Sequence, residues 1–249
     1  MQNNNKLTVY LIIVIAVLVV GMGLMYFFPK NSGNNASTQT PAAPLSLADQ
    51  GLSVQGLPLL GKADAPATIL EFGDFQCSAC TQFFGTAEPQ IRKDLIDTGK
   101  ANMAFKILTF IDDYAQKGGS GESWHAAQAA ECANDQGKFW DMYDAIYTAE
   151  LNEIKNGKSN ENSGNLTRDF FVSSAKKIGM DVNQFSSCYD AQKYSNQING
   201  FMADAQKAMG QNISTPTLYV IKNGKAQQVY NPFDVKTLES MITGTSTGN

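Results

Sequence analysis

Apolar and polar residues follow three different patterns along the chain, and the first lies at the N-terminus. Residues 7–28 run for 22 positions without a charged side chain. A helix of that length spans about 33 Å, enough to cross the hydrocarbon core of a bilayer. A cleaved signal peptide is the alternative, although its apolar region is usually only about 7–15 residues long. We therefore predict a single N-terminal transmembrane helix that anchors the chain, at residues 1–28.

The second pattern is a polar stretch, residues 29–51, which is rich in Ser, Asn, Thr, Ala and Pro and has no apolar period. This composition predicts a flexible linker between the membrane and a folded domain. Lys6 precedes the apolar segment and Lys30 follows it, so positive charge does not decide the orientation of the helix. The cysteines described below favour a domain that faces outward.

Residues 52–249 form the third zone, in which alternating runs and helical periods predict an α/β domain. Residues 67–74 and 102–109 have the character of strands, and residues 79–98 lie between them with a composition that suits a helix. Strand, helix and strand in this order, with short joins, indicate a βαβ unit with parallel pairing.

A helical block at about residues 112–212 separates this unit from a second group of strands. Apolar residues recur at three- and four-residue spacing in four segments of the block: 124–132, 139–146, 170–178 and 198–209. Strand character returns at residues 217–221 and 226–230, around an Asn223-Gly224 dipeptide typical of hairpin turns. Asp234 could cap a final helix. The order βαβ, helices, ββα is that of one sheet split by an insertion, not of two tandem domains.

Composition narrows the classes of function. The net charge of −4 and the presence of only two arginines argue against nucleic-acid binding, which needs a basic face. The cysteines Cys77, Cys80, Cys132 and Cys188 form an even set behind a membrane segment, which favours an oxidising compartment. Zinc is a weak alternative, because the chain has one CxxC pair and a single histidine, His125. We expect no metal site.

Cys77-Ser78-Ala79-Cys80 lies between a predicted strand and the start of a predicted helix. Cysteines three positions apart in the first helical turn can close a small disulfide and remain reachable. The unpaired N–H groups and partial positive charge of a helix N-terminus stabilise a thiolate at Cys77. A thiolate is the attacking species in thiol–disulfide exchange. Half of a zinc site and a static bridge are the alternatives, but the strand and helix context favours a redox centre.

The motif Glu71-Phe72-x-Asp74-Phe75-x-Cys77-x-x-Cys80, preceded by Ala65-Pro66, resembles the signature of DsbA-like thiol–disulfide oxidoreductases of the thioredoxin superfamily. The helical block and Thr215-Pro216 fall where that family has its helical insertion and its cis-proline loop. The resemblance implies a thioredoxin-like fold, disulfide exchange with protein thiols without a cofactor, and recycling by a quinone-linked thiol oxidase of the membrane. Ser78-Ala79 departs from the Pro-His of the family's best-known strong oxidants, and the loop before Pro216 lacks the common glycine.

The resemblance also implies roles for single residues. On sequence grounds alone Glu71 would be a solvent-facing strand residue, but the family carries here a buried acid that exchanges a proton with the second cysteine. A carboxyl in a strand covered on both faces is desolvated, which raises its pKa. By general frequency Thr215-Pro216 would be trans, whereas the resemblance implies a cis bond against the CxxC and backbone contacts from Thr215 to an extended substrate.

Cys132 and Cys188 lie in different helical segments, either as buried small apolar residues or joined to each other. Outside the cytoplasm we expect a structural disulfide, which would close a loop of about 57 residues and contribute about 4 kcal/mol. His125 is expected to be an ordinary surface or partly buried histidine. Four aromatic residues have helical spacing and are expected in the core: Phe139, Trp140, Tyr143 and Tyr147.

The sequence thus predicts a single-pass cell-membrane protein whose extracytoplasmic domain introduces disulfides into exported proteins with free thiols. Cys77, Cys80 and Glu71 are the expected catalytic residues, and Thr215 and Pro216 the expected substrate-binding residues. A membrane-tethered reductase or isomerase is the nearest alternative. A thioredoxin-like metallochaperone is a weaker one, because it would want a wider cysteine spacing and further ligands.

Overall fold

The computed structural model describes residues 45–115 and 121–245, and their centre is a four-stranded mixed sheet. The strands lie in the order β2-β1-β3-β4. β1 pairs in parallel with β2 and antiparallel with β3, and β3 and β4 form an antiparallel hairpin. Their bounds are β1 Thr68–Gly73, β2 Asn102–Ile107, β3 Thr217–Lys222 and β4 Lys225–Val229.

The helices of the described ranges fall into three groups: two after β1, six between β2 and β3, and one after β4. Their bounds are α1 Ser78–Thr86, α2 Glu88–Ile91, α3 Phe110–Tyr114, α4 Glu122–Asn134, α5 Phe139–Lys155, α6 Arg168–Lys177, α7 Val182–Asp190, α8 Ser195–Met209 and α9 Val235–Thr243. α2 continues into one π-helical turn, Arg92–Ile96. The six helices from α3 to α8 form the insertion, and the element order is the one that the sequence predicts.

The single helix predicted over residues 79–98 is divided in the structure. Pro89 lies in the first turn of α2, where its missing N–H costs nothing, and the break falls at Ala87. The sequence placed Cys188 in a helical segment but gave no bounds for it. In the structure this segment is α7, which Asp181 caps by accepting hydrogen bonds from the N–H groups of Asn183 and Gln184. Both features come from side chains at helix ends, which an apolar period does not register.

Turn and cap predictions near the C-terminus are confirmed. Asn223 and Gly224 both have positive φ, 51° and 71°, as a two-residue hairpin turn requires. The Asp234 side chain accepts a hydrogen bond from the N–H of Thr237 at 3.1 Å and so caps α9. The last strands and helix are therefore specified by local chemistry.

Hydrophobic clusters cover both faces of the sheet. On one face Ile69 packs with residues of α1 and α9, and on the other Leu70 and Phe72 pack with the insertion. The aromatic residues predicted for the core lie in α5 and are buried or partly buried. Two of them surround Phe75, with Tyr143 and Tyr147 at ring-centroid distances of 5.8 Å and 5.0 Å. Helix α5 therefore packs the insertion against the loop that follows β1.

Residues 45–51, the predicted end of the linker, form a turn that packs on the domain. The buried Lys106 ammonium donates to the Gly51 carbonyl at 2.7 Å and pairs with Asp204 at 2.7 Å. The predicted anchor at residues 1–28 and the linker up to residue 44 lie outside the described residues. Among the helices of the described ranges, none has both the length and the apolar composition needed to cross a membrane.

Candidate active site

Cys77 is the N-cap residue of α1, directly after the loop that follows β1. Its backbone is extended (φ −66°, ψ 118°), and its side chain makes no capping hydrogen bond. The N–H groups of Ala79 and Cys80 face the Cys77 sulfur and stabilise its thiolate, as the N-terminus of a helix does for an anion. The loop itself is closed by a hydrogen bond from the Cys77 N–H to the Asp74 carbonyl at 3.0 Å.

The two cysteines of the pair are both buried, but Cys77 is the more exposed of the two. Cys77 is 8% exposed, whereas Cys80 is 1% exposed, and both thiols are free in this structure. A hydrogen bond from the Cys80 thiol is the largest of the effects that lower the pKa of Cys77 to about 6, in spite of its burial. Burial raises the pKa of Cys80 well above its ordinary value, and the charge of Cys77 raises it further. At neutral pH the pair therefore consists of a reachable thiolate and a buried thiol.

Glu71 lies in the middle of β1, between Phe105 of β2 and Leu218 of β3, and is fully buried. Gly73, two positions further along the same strand, leaves the space that the carboxyl occupies. A Cβ at Gly73 would lie 3.0 Å from the Glu71 Oε1 atom and 2.5 Å from the Phe105 ring. The small residue next to the active-site loop thus makes room for a buried acid.

The Glu71 carboxyl is shielded from solvent. Within the described part of the chain neither of its oxygens accepts a well-formed hydrogen bond, although the nearby Tyr143 hydroxyl lowers its pKa. Burial raises its pKa well above the ordinary range, and the negative charges of Glu88 and Cys77 add to the effect. The charge of Glu71 in turn raises the pKa of Cys80. A buried carboxyl whose pKa is raised and which interacts with a buried thiol has the properties of a proton donor and acceptor for that thiol.

Thr215 lies against the sulfur of Cys77, although the two residues are 138 positions apart in sequence. The Thr215-Pro216 peptide bond is cis. The Cys77 thiol donates to the Thr215 carbonyl at 3.6 Å. Among the described residues the buried Thr215 hydroxyl has no hydrogen-bond partner when Cys77 is a thiol, but it lies close enough to donate to the thiolate and so helps to lower the pKa of Cys77. The structure thus brings together the five residues that the sequence singles out for catalysis and substrate binding.

Asp74 ties the active-site loop to the insertion. Its buried carboxylate accepts hydrogen bonds from the Gln76 N–H at 3.0 Å, the Ser123 hydroxyl at 2.7 Å and the Ile111 N–H at 3.1 Å. Burial raises the pKa of Asp74 to about 7, and these hydrogen bonds limit the rise. The loop before Cys77 is therefore positioned from α3 and α4 as well as from β1.

A second contact between the insertion and the CxxC was missed by the sequence analysis. Ser78, between the two cysteines, donates its hydroxyl hydrogen bond to the Asn160 Oδ1 atom at 2.7 Å or to the Glu161 carboxylate at 3.0 Å. Asn160 also donates to the Gln76 carbonyl at 2.9 Å. Residues 158–165 are a polar run that predicts only a loop, and nothing in it indicates a contact with a motif some eighty residues upstream.

Cys132 and Cys188 form a disulfide in the structure, with a Cα–Cα distance of 5.8 Å. It joins α4 to α7 inside the insertion. His125, on α4, is partly buried, and its ring lies 5.8 Å from that of Tyr189. Within residues 45–115 and 121–245, no three His, Cys, Asp or Glu side chains converge on a position that could hold a metal ion.

Comparisons with known proteins extend this description. The sequence profile of the thioredoxin family matches residues 53–243. A probable disulfide bond formation protein D of Bacillus anthracis is 30% identical over 164 residues, which cover 66% of this chain and 69% of the relative. The crystal structure of oxidised BdbD from Bacillus subtilis matches with a TM-score of 0.62 and 27% identity, over 77% of this chain and 94% of BdbD. Chlamydia trachomatis DsbA shares the fold, with a TM-score of 0.58 and 24% identity over 78% and 93% of the two chains.

The profile match covers the strands, the CxxC and the helical insertion together. The expectation raised by the signature motif is thus confirmed by sequence, by fold and by the position of the cysteine pair at the start of α1. This chain belongs to the DsbA-like thiol–disulfide oxidoreductases of the thioredoxin superfamily.

Proposed function

We propose that this oxidoreductase works as a disulfide donor to exported proteins, with Cys77 as the nucleophilic cysteine and Cys80 as the resolving one. The observation that carries the proposal is the asymmetry of the pair: Cys77, the less buried of the two, has a pKa lowered to about 6, and the fully buried Cys80 has a raised pKa. A stabilised thiolate favours the reduced form of the protein, and a disulfide whose reduced form is stabilised is an oxidant.

The reaction begins when a substrate thiolate attacks the Cys77 sulfur of the Cys77–Cys80 disulfide. The bond between the two cysteines breaks, and Cys80 leaves and takes a proton from Glu71. A second substrate thiolate then attacks the substrate sulfur of the mixed disulfide, and Cys77 leaves as a thiolate. Two substrate thiols are thereby oxidised to a disulfide, the cysteine pair is reduced, and Glu71 regains its proton from solvent.

Thr215 and Pro216 are the proposed binding residues for the substrate chain. The Thr215 carbonyl lies 3.6 Å from the Cys77 sulfur, so an extended segment that pairs with the Thr215 backbone would present its own sulfur to Cys77. The hydroxyl of Thr215 is placed to stabilise the Cys77 thiolate when it leaves. Binding through backbone groups suits an enzyme that acts on many substrate sequences.

The cellular arrangement belongs to the same proposal. Residues 1–28 anchor the chain, residues 29–44 link it to the membrane, and the domain from residue 45 onward faces outward. A quinone-linked thiol oxidase of the membrane returns the cysteine pair to its disulfide form. External protease added to spheroplasts should release the domain as a soluble fragment, and complete protection of the domain in sealed spheroplasts would contradict the orientation.

The direction of the reaction is tested by the reduction potential of the pair, measured by equilibration with glutathione. We expect a value between those of thioredoxin, about −270 mV, and DsbA, about −120 mV, because the pKa of Cys77 also lies between theirs. A value at or below that of thioredoxin would replace the oxidase by the membrane-tethered reductase. Cys80→Ser should accumulate mixed disulfides through Cys77, and adducts formed instead through Cys80 in Cys77→Ser would reverse the roles.

A further inference from the structure

The loop at residues 156–167 connects α5 to α6. Through the buried side-chain amide of Asn160 it contacts the residues on both sides of Cys77. Asn160 is fully buried, and its side chain donates to the Gln76 carbonyl at 2.9 Å and to Glu150 at 3.1 Å. Its Oδ1 atom lies 2.7 Å from the Ser78 hydroxyl, which donates to it. Asn160 therefore contacts the residue before Cys77 and the residue after it, and this fixes where the loop meets the redox centre.

The next residue, Glu161, carries a negative charge to the N-terminus of α1. Its Oε1 atom lies 3.3 Å from the Ser78 N–H and 3.0 Å from the Ser78 hydroxyl. The far side of the loop is held as well, because the Glu122 carboxylate accepts hydrogen bonds from the N–H groups of Gly164 at 3.0 Å and Leu166 at 2.9 Å. Although Glu161 is exposed, its carboxylate is held at one place.

Two negative groups share the same helix N-terminus in the reduced protein. Cys77 is the N-cap residue of α1, and the carboxylate of Glu161 accepts a hydrogen bond from the N–H of Ser78, the first residue of the helix. A carboxylate at this position is stabilised by the helix, but it repels a second negative charge nearby. The disulfide form has no thiolate to repel. Glu161 therefore favours the oxidised form of the pair over the reduced form.

We propose that Glu161 is a positioning residue of the redox centre, which holds Ser78 and, by its fixed negative charge, weakens the oxidising power of the Cys77–Cys80 disulfide. The inference rests on the proposed function only in taking Cys77 and Cys80 as the redox pair. The proposal gives Ser78 a role, because both its hydroxyl and its N–H lie within hydrogen-bond distance of Glu161. A proline at this position would lack both donors.

The experiment compares the reduction potentials of wild type, Glu161→Gln and Glu153→Gln by equilibration with glutathione. Glutamine keeps the shape of the side chain and an acceptor for Ser78 and removes only the charge. Glu153 is the matched control, because it pairs with Lys158 near the start of the same loop and makes no contact with Ser78 among the described residues. Glu161→Gln should shift the equilibrium constant toward the reduced protein by about three- to fivefold, or about 14–21 mV. Glu153→Gln should leave it unchanged.

Salt separates a charge effect from a structural one. At 1 M salt the screening length falls to about 3 Å, so the difference between Glu161→Gln and wild type should largely disappear. A shift of the same size at low and high salt would overturn the charge argument. Equal shifts in Glu161→Gln and Glu153→Gln, or no shift in Glu161→Gln, would overturn it too. If the wild type shows no dithiol–disulfide equilibrium at Cys77 and Cys80, the redox assignment fails instead.

Discussion

Acidification of the reduced protein should remove the stability that the fold gains from the Cys77 thiolate. The folded structure lowers the pKa of Cys77 from 9.0 to about 6, chiefly through the hydrogen bond from Cys80. Because the folded protein binds this proton more weakly than the unfolded chain does, ionisation of Cys77 favours the folded state. The contribution is complete above about pH 9 and is lost as the pH falls through about 6.

The magnitude follows from the two pKa values. Where the thiol is ionised in both states, the gap between 9.0 and about 6 is worth about 4 kcal/mol. At pH 7 Cys77 is still mostly protonated in the unfolded chain, so its ionisation contributes only about 1.4 kcal/mol to the free energy of unfolding. At pH 5 the contribution is only about 0.1 kcal/mol. The step from pH 7 to pH 5 should therefore cost the reduced protein about 1.3 kcal/mol through this single group.

The assay is urea unfolding between pH 5 and pH 8 in excess phosphine reductant, with Cys77→Ser as the matched variant. Both proteins keep Asp74 and Glu131, whose pKa values burial raises to about 7. These carboxyls make the fold less stable as the pH rises, which is opposite to the effect of Cys77, and their effect cancels when the two proteins are compared. The difference in unfolding free energy between wild type and Cys77→Ser should grow by about 1.3 kcal/mol from pH 5 to pH 7. A difference that stays constant over this range would refute the stabilised thiolate. The oxidised protein, which has no thiolate, should not show the step.

Three further outcomes are expected. Glu71→Gln should raise the unfolding free energy at pH 8 by about 1–3 kcal/mol, because burial penalises the charged carboxyl as the pH rises; urea unfolding at pH 4 should show a much smaller gain. Replacing both Cys132 and Cys188 by serine should lower stability by about 4 kcal/mol in the chain-entropy account while leaving the glutathione equilibrium of the CxxC unchanged. Thr215→Val should raise the pKa of Cys77, because the hydroxyl that stabilises the thiolate is lost. Titration monitored by thiolate absorbance should show about a tenfold change in the ionisation constant.

The parts of the fold that the sequence predicted are those set by local patterns. Strand-like composition identified β1, alternation identified β2, the Asn223-Gly224 dipeptide identified the hairpin, and Asp234 identified the start of α9. The CxxC was recognisable because a cysteine pair at a strand-to-helix junction has a chemical meaning that does not depend on the rest of the chain. The split of the first helix at Ala87 was missed, because helical spacing continues across the break.

Contacts across long sequence separations were the part that no local pattern could predict. The expectation that Cys132 and Cys188 pair rested on the oxidising compartment and not on a local pattern, and only the packing of α4 beside α7 brings their Cα atoms to 5.8 Å. The same holds for the loop at residues 156–167. Its residues read as a polar, solvent-exposed connection, yet Asn160 is fully buried because it satisfies backbone and side-chain groups around the CxxC.

These long-range contacts bear on how the potential of the redox pair is set. The thiolate of Cys77 is stabilised by groups of the thioredoxin part, namely the thiol of Cys80, the hydroxyl of Thr215 and the N–H groups of α1. In our proposal, the negative charge of Glu161 opposes this stabilisation. Ser78 donates a hydrogen bond to Glu161, which belongs to the helical insertion. The dipeptide between the cysteines therefore cannot by itself determine the reduction potential of the pair. Relatives with the same dipeptide should therefore differ in potential when the charge at the loop position of Glu161 differs.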